Sequence, residues 1–132
     1  MTLAHFSLLV ACLLPIVCAG IAKSGTFGRR RSEGGYDNHD PRAWLARQTG
    51  HRARANAAQA NSFEALPLFI AGLVVAWHRQ ADPAWVDGLA AAFVVCRAVY
   101  IGMYVTDRAL ARSLWWMAGV ACCLVLFFLP KA

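Results

Sequence analysis

Two charges interrupt long apolar stretches of this 132-residue chain: Glu64 within the run from Ser62 to Trp77, and Arg97 within the run from Ala90 to Val99. A lone charge at membrane depth costs about 2.5–3.5 kcal/mol even on the mildest insertion scales. Each needs a partner, and an ion pair between the two is the economical solution. Other polar residues share their helical faces. Asn61 and Glu64 stand at i and i+3, Arg54 and Asn61 at i and i+7, with Gln59 beside that stripe. Arg97, Tyr100 and Tyr104 form a second stripe at i, i+3 and i+7, and Arg112 follows just before Ser113-Leu114-Trp115-Trp116. Guanidinium groups hold carboxylates, often bidentately, and a carboxylate holds an ammonium. The set therefore suits a small peptide-like anion that carries both groups. An Arg beside a thiol also favours the thiolate, the nucleophile of sulfur transfer. The plainer alternatives are a structural charge pair that fixes helix register, tyrosines that anchor at a membrane interface, and arginines that only set topology.

The elements that must position these residues are membrane spans. With 59% hydrophobic and 15% charged residues and a mean hydropathy of +0.46, the chain carries more apolar surface than a soluble domain of this size can hide. A span takes roughly 20 apolar residues, and four fit, at about 3–22, 56–77, 84–105 and 110–129. One all-α membrane domain over 1–132 is expected, a four-helix transmembrane bundle. The first run, from Leu3 to Ala22, has no charge and no preceding Lys or Arg, and it is longer than a signal-peptide core. It is read as a retained helix. A polar loop follows over about 23–53, with Gly25, Gly28, Gly34 and Gly35 favouring turns and Asp40-Pro41 opening a short helix through Trp44 to Arg47. The second helix starts near Ala53, its first two turns projecting from the hydrocarbon. The links His78 to Pro83 and Thr106-Asp107-Arg108 are short, so the last three helices run antiparallel as neighbours. The two polar stripes should then meet.

The net charge of +6 is a topological signal. Eight of the thirteen Lys and Arg residues (Lys23, Arg29, Arg30, Arg31, Arg42, Arg47, Arg52, Arg54) fall in or beside the first loop. That places the first and third loops in the cytoplasm by the positive-inside rule. The stretch lacks the aromatic signatures of nucleic-acid readers, so no nucleic-acid partner is expected. The five cysteines lie in apolar runs without CxxC spacing and read as small hydrophobes, with no disulfide frame and no metal site.

Ala58-Gln59-Ala60-Asn61-Ser62-Phe63-Glu64-Ala65-Leu66-Pro67-Leu68-Phe69 resembles the second-helix pattern of the MAPEG family, the membrane-associated proteins of eicosanoid and glutathione metabolism. Arg97, Tyr100 and Tyr104 are similar to its third-helix positions, and Ala111-Arg112-Ser113-Leu114-Trp115 resembles the opening of its fourth helix. The resemblance covers about the last 80 residues. It implies a homotrimer that binds glutathione between subunits, as co-substrate, near the cytoplasmic ends. By position it implies glutathione contacts from Asn61, Glu64, Arg97, Tyr100 and Tyr104, with Arg54 and Gln59 nearby and Arg112 polarising the sulfur as the catalytic residue. The implied activity is a glutathione transferase or peroxidase acting on lipophilic electrophiles, in a bacterial-type member seated in the inner membrane. Two departures stand out. Ala57 occupies a position where some members carry Arg, and the first loop is longer and richer in glycine than in the eicosanoid enzymes.

Two other readings compete. A small proton-coupled multidrug exporter also has four short helices and an intramembrane carboxylate, although Arg97 would repel cationic cargo. A non-catalytic MAPEG-like membrane protein is the third, and Ala57 is the feature that keeps it open. Glutathione titration separates the first reading from both.

Overall fold

The computed structural model describes all of residues 1–132. The chain is all-helical. Helix α1 spans Leu3–Ala22, short α2 Pro41–Ala46, α3 Gly50–His78, α4 Pro83–Val105 and α5 Ala109–Phe128, with a single 3-10 turn at Arg31–Glu33. Four of these, α1, α3, α4 and α5, are long and apolar enough to cross a membrane.

Local chemistry starts and stops them. Asp82 accepts a hydrogen bond from the Ala84 N–H at 2.8 Å ahead of Pro83, whose missing N–H costs nothing at a helix start. Asp40 and Pro41 repeat the device for α2, the Ala43 N–H donating at 3.2 Å. Helix α1 has no acidic residue in its first turn. Its orphan Ala4 N–H instead donates to Asp87 Oδ1 of α4 at 2.8 Å, which ties the two helices together while satisfying a backbone donor. Gln80 and Asp107 adopt left-handed backbone (φ 55° and 64°) in the two tight links, which reverses the chain within a few residues.

Helix α3 starts at Gly50, six residues before the expected span. At 29 residues it is about 43 Å long, against about 30 Å for a bilayer's hydrocarbon. Tertiary bonds hold its polar first turns: Arg52 Nη2 donates to the Ser24 carbonyl at 3.0 Å, and Arg54 Nε to the Val105 carbonyl at 3.0 Å. In the loop, Asp37 accepts from the His39 N–H at 2.9 Å and pairs with Arg31 at 3.3 Å. The His39 N–H, and after it Arg31, hold its carboxyl below the ordinary value of 3.8. This contribution to loop order is thus present above pH 3.8 and lost as pH falls beneath it.

Within the most apolar stretch of each span only 17–33% of residues are buried inside the chain. The core lies among α3, α4 and α5, with Ala4 and Ala11 of α1 packed into it. Phe69 and Phe93 stack with centroids 4.0 Å apart, flanked by Leu73, Val86, Ala90, Cys123 and Leu126, all buried. Of the cysteines, Cys18, Cys96 and Cys123 are buried and Cys122 is half-buried, whereas Cys12 faces outward on α1. At Gly72 a Cβ would lie 3.1 Å from both the Cys123 carbonyl oxygen and Leu126 Cβ, so this glycine sets how closely α3 approaches α5. Overpacking such a contact costs about 1–3 kcal/mol. Gly72→Val should lower the melting temperature in detergent by several degrees, whereas Gly20→Ala, with no atom within 4 Å of its added Cβ, should not.

Candidate functional site

Arg97 sits eight residues from the end of α4, about 12 Å along the helix. It is 3% exposed. A guanidinium buried this deeply must find acceptors, and it finds them on α3. Its Nη2 donates to Asn61 Oδ1 at 3.1 Å and to Ser62 Oγ at 3.2 Å, while its plane lies 4.1 Å over the Tyr100 ring. The Ser62 hydroxyl in turn donates to the Ala58 carbonyl at 2.8 Å, which leaves its lone pairs toward Arg97.

The expected direct ion pair between Glu64 and Arg97 is not formed; the chain's two ion pairs, Arg31 with Asp37 and Arg54 with Asp107, lie elsewhere. Asn61 stands between the charges. Its Nδ2 donates to Glu64 Oε2 at 3.1 Å and its Oδ1 accepts from Arg97. The amide dipole thus points its donor at the anion and its acceptor at the cation, and the flipped amide would oppose both charges. This bridge leaves the Glu64 carboxylate exposed, where a direct pair would have drawn it into the seam. Asparagine at 61 was visible in the sequence. Its bridging was not, because a three-residue spacing on one helix says nothing about which side chain a neighbouring helix meets.

The second polar stripe continues toward the α4–α5 link. Tyr100 and Tyr104 pack edge to face, centroids 5.6 Å apart, and the Arg112 guanidinium lies 4.4 Å over the Tyr104 ring. Between α3, α4 and α5 these residues line two adjoining clefts that share Asn61 and Trp116. The deeper, about 130 Å³, is walled by Glu64, Arg97 and the apolar Leu68, Phe93, Val120 and Cys123. The outer, about 380 Å³, is walled by Tyr100, Tyr104, Arg112, Ser113 and Met117. The outer cleft falls within the roughly 300–1,000 Å³ range of small-molecule sites and the deeper one below it. One groove results, polar at the link end and apolar in the seam.

Six of the eight sequence-derived positions therefore gather: Asn61, Glu64, Arg97, Tyr100, Tyr104 and Arg112. Arg54 and Gln59 line neither cleft. Arg54 caps the end of α4 through the Val105 carbonyl and reaches Asp107 at 3.6 Å. Gln59, two residues and about 200° around α3 from Asn61, is half-buried on another face. Sequence reasoning missed Ser62 and Trp116; a hydroxyl one residue from Asn61 and a tryptophan one turn after Arg112 were the available signals.

The bridge sets an expected outcome. Asn61→Ala leaves the buried Arg97 with Ser62 as its one hydrogen-bond acceptor, and a buried group left short of a partner costs about 1–3 kcal/mol. Melting in detergent should fall accordingly, less so for Ser62→Ala. A double-mutant cycle between Asn61 and Arg97 should return a coupling of about 0.5–3 kcal/mol, and a coupling of zero would show the bond to be idle.

No curated protein and no solved structure matches this chain. The family model described as "MAPEG family" matches it over residues 3–131, nearly end to end, and takes in the first helix and long loop as well as the polar stripes. The chain has four helices long and apolar enough to cross a membrane, and it belongs to the MAPEG family, whose members include glutathione transferases and peroxidases.

Proposed function

We propose that this protein is a membrane-bound glutathione-dependent transferase or peroxidase that acts on hydrophobic electrophiles reaching it from the bilayer. The observation that carries the reading is the single groove in which an exposed carboxylate, an amide, two phenols and Arg112 follow one another toward the arginine-rich end. The donor set fits glutathione chemically. Glu64 has one oxygen engaged by Asn61 and suits the tripeptide's ammonium, while Arg112 and the tyrosine hydroxyls suit its carboxylates and sulfur.

In this reading Asn61, Glu64, Tyr100 and Tyr104 bind glutathione. Arg97 holds Asn61 and Ser62 through Nη2 alone and lines the deeper cleft, where its remaining donors are open to the ligand's carboxylate. Arg112 stabilises the sulfur as thiolate, since a fixed cation lowers the free energy of the anion beside it. The thiolate sulfur bonds to the electrophilic atom, and the displaced group leaves with its electron pair. The apolar lower cleft, open toward the helix surface, receives the lipophilic partner.

The groove of one chain is open on its outer side, and Arg54 and Gln59 face away from it. A homotrimer, as in the family resemblance, would cover the exposed faces of the spans and bring Gln59 to a neighbouring subunit's groove. The first and third loops lie in the cytoplasm by their arginine excess, which gives soluble glutathione access to the polar end, and a bacterial inner membrane is the compartment proposed. Arg97, coupled to Glu64 through Asn61, disfavours the cationic cargo of a proton-coupled exporter.

Titration of the detergent-solubilised protein with glutathione should show saturable binding and a thiolate absorbance band. Arg112→Ala should lower kcat with a generic electrophile about 10²–10³-fold, the usual loss for one electrostatic stabiliser, with assembly kept. Glu64→Gln should instead raise KM for glutathione about tenfold, the loss of one charge-assisted hydrogen bond, and leave kcat near wild type. Wild-type protein that shows neither binding nor the thiolate band would sink the proposal.

A further inference from the structure

The first loop builds a separate cavity that shares no lining residue with the groove. It measures about 310 Å³ and is walled by Arg31, Asp37, Trp44, Arg47, Gln48 and Arg52 around the turn at Gly34 and Gly35. The turn is tightly made: Gly34 has φ 82°, and a Cβ at Gly35 would overlap the Arg29 carbonyl oxygen. Trp44, 4% exposed, forms the floor, with Tyr36 edge-on at 5.2 Å and the Lys23 ammonium 4.3 Å over the Tyr36 ring.

Charge and hydrogen bonding in this cavity are unbalanced. Three guanidinium groups face one carboxylate, and Asp37 is already paired with Arg31, which leaves two positive charges, Arg47 and Arg52, without an acidic partner. Arg52 gives one Nη2 bond to the Ser24 carbonyl, yet its enclosed Nε has no acceptor, the one buried side-chain polar atom in the chain left so. A buried donor of a cation without an acceptor is costly and calls for an anion.

Depth suggests which anion. Helix α1 has 20 residues, about 30 Å, the thickness of the hydrocarbon core. Ser24, two residues beyond its end, and the Arg52 bonded to it therefore lie where lipid phosphates lie. Phe27 projects from this otherwise polar loop at 69% exposed, an aromatic side chain suited to the same interface. Clustered arginines at this level attract anionic headgroups, and the planar guanidinium matches phosphate oxygens.

We propose that the loop cavity is a binding site for a phosphate group, supplied by an anionic phospholipid headgroup. Arg47 and Arg52 hold its oxygens, and Phe27 dips beside the acyl chains. The site tethers the long loop to the bilayer surface, beside the arginine-rich end of the groove.

The full-length protein in a neutral detergent is the test, with retained lipid read by native mass spectrometry and melting temperature followed in parallel. Phosphatidylglycerol should be retained over phosphatidylcholine, whose quaternary ammonium meets the excess positive charge. Removing one surface cation is worth about a fivefold change in affinity, so Arg47→Glu, a change of two charges, should weaken phosphatidylglycerol binding about 25-fold. Asp37→Asn should strengthen it about fivefold, a gain that misfolding cannot imitate. Inorganic phosphate that protects the lipid-free protein as strongly as phosphatidylglycerol would assign the site to free phosphate. Equal phosphatidylglycerol retention by wild type, Arg47→Glu and Asp37→Asn overturns the proposal.

Discussion

A guanidinium at membrane depth cannot be left unsatisfied, and the arrangement of the helical seam follows from the way Arg97 is accommodated. Its partners all come from α3 or from its own helix: Asn61, Ser62 and the Tyr100 ring. To supply them α3 must lie against α4 in a single register, because moving either helix by one residue rotates these side chains about 100° away. The stack of Phe69 on Phe93 and the close approach at Gly72 then lie further along the same seam. One buried charge thus specifies a register that apolar packing alone would leave degenerate.

The same solution shapes the groove. Had Glu64 paired directly with Arg97, each would have satisfied the other inside the bundle and the cleft would hold no free carboxylate. With Asn61 interposed, Arg97 is neutralised partly through an oriented dipole and Glu64 stays at the surface of the groove. A ligand's positive group can then complete the charge balance. Further toward the link, Tyr104 supports Arg112 through its ring face, an arrangement that localises a cation without consuming its hydrogen-bond donors.

Charge is divided between two levels of the molecule. Arg97 and Arg112 are held by neutral groups and aromatic faces, whereas the arginines of the first-loop cavity are in excess over the acid beside them. The first set borders a groove between helices and the second a cavity in the loop that follows α1. Both lie toward the end of the bundle opposite the short link at Gln80.

The sequence by itself determined the four helices, their antiparallel order and the six residues that gather in the groove. Apolar runs of span length, Asp-Pro starts and helical spacing are local properties, and a buried charge announces its cost wherever it is written. It also carried the family, through the ordered Asn61-Glu64, Arg97-Tyr100-Tyr104 and Arg112 pattern. Only the tertiary structure decided that Asn61 bridges the charges, that Ser62 and Trp116 join the site, that Arg54 caps α4, and that Gln59 faces elsewhere. It alone carried α3 back from Ala53 to Gly50 and tied its first turns to the Ser24 and Val105 carbonyls. The reason is common to all of these. Spacing along one helix fixes which residues share a face, but the rotation and depth at which two helices meet fix which of those side chains touch, and that is settled by contacts between residues far apart in the chain.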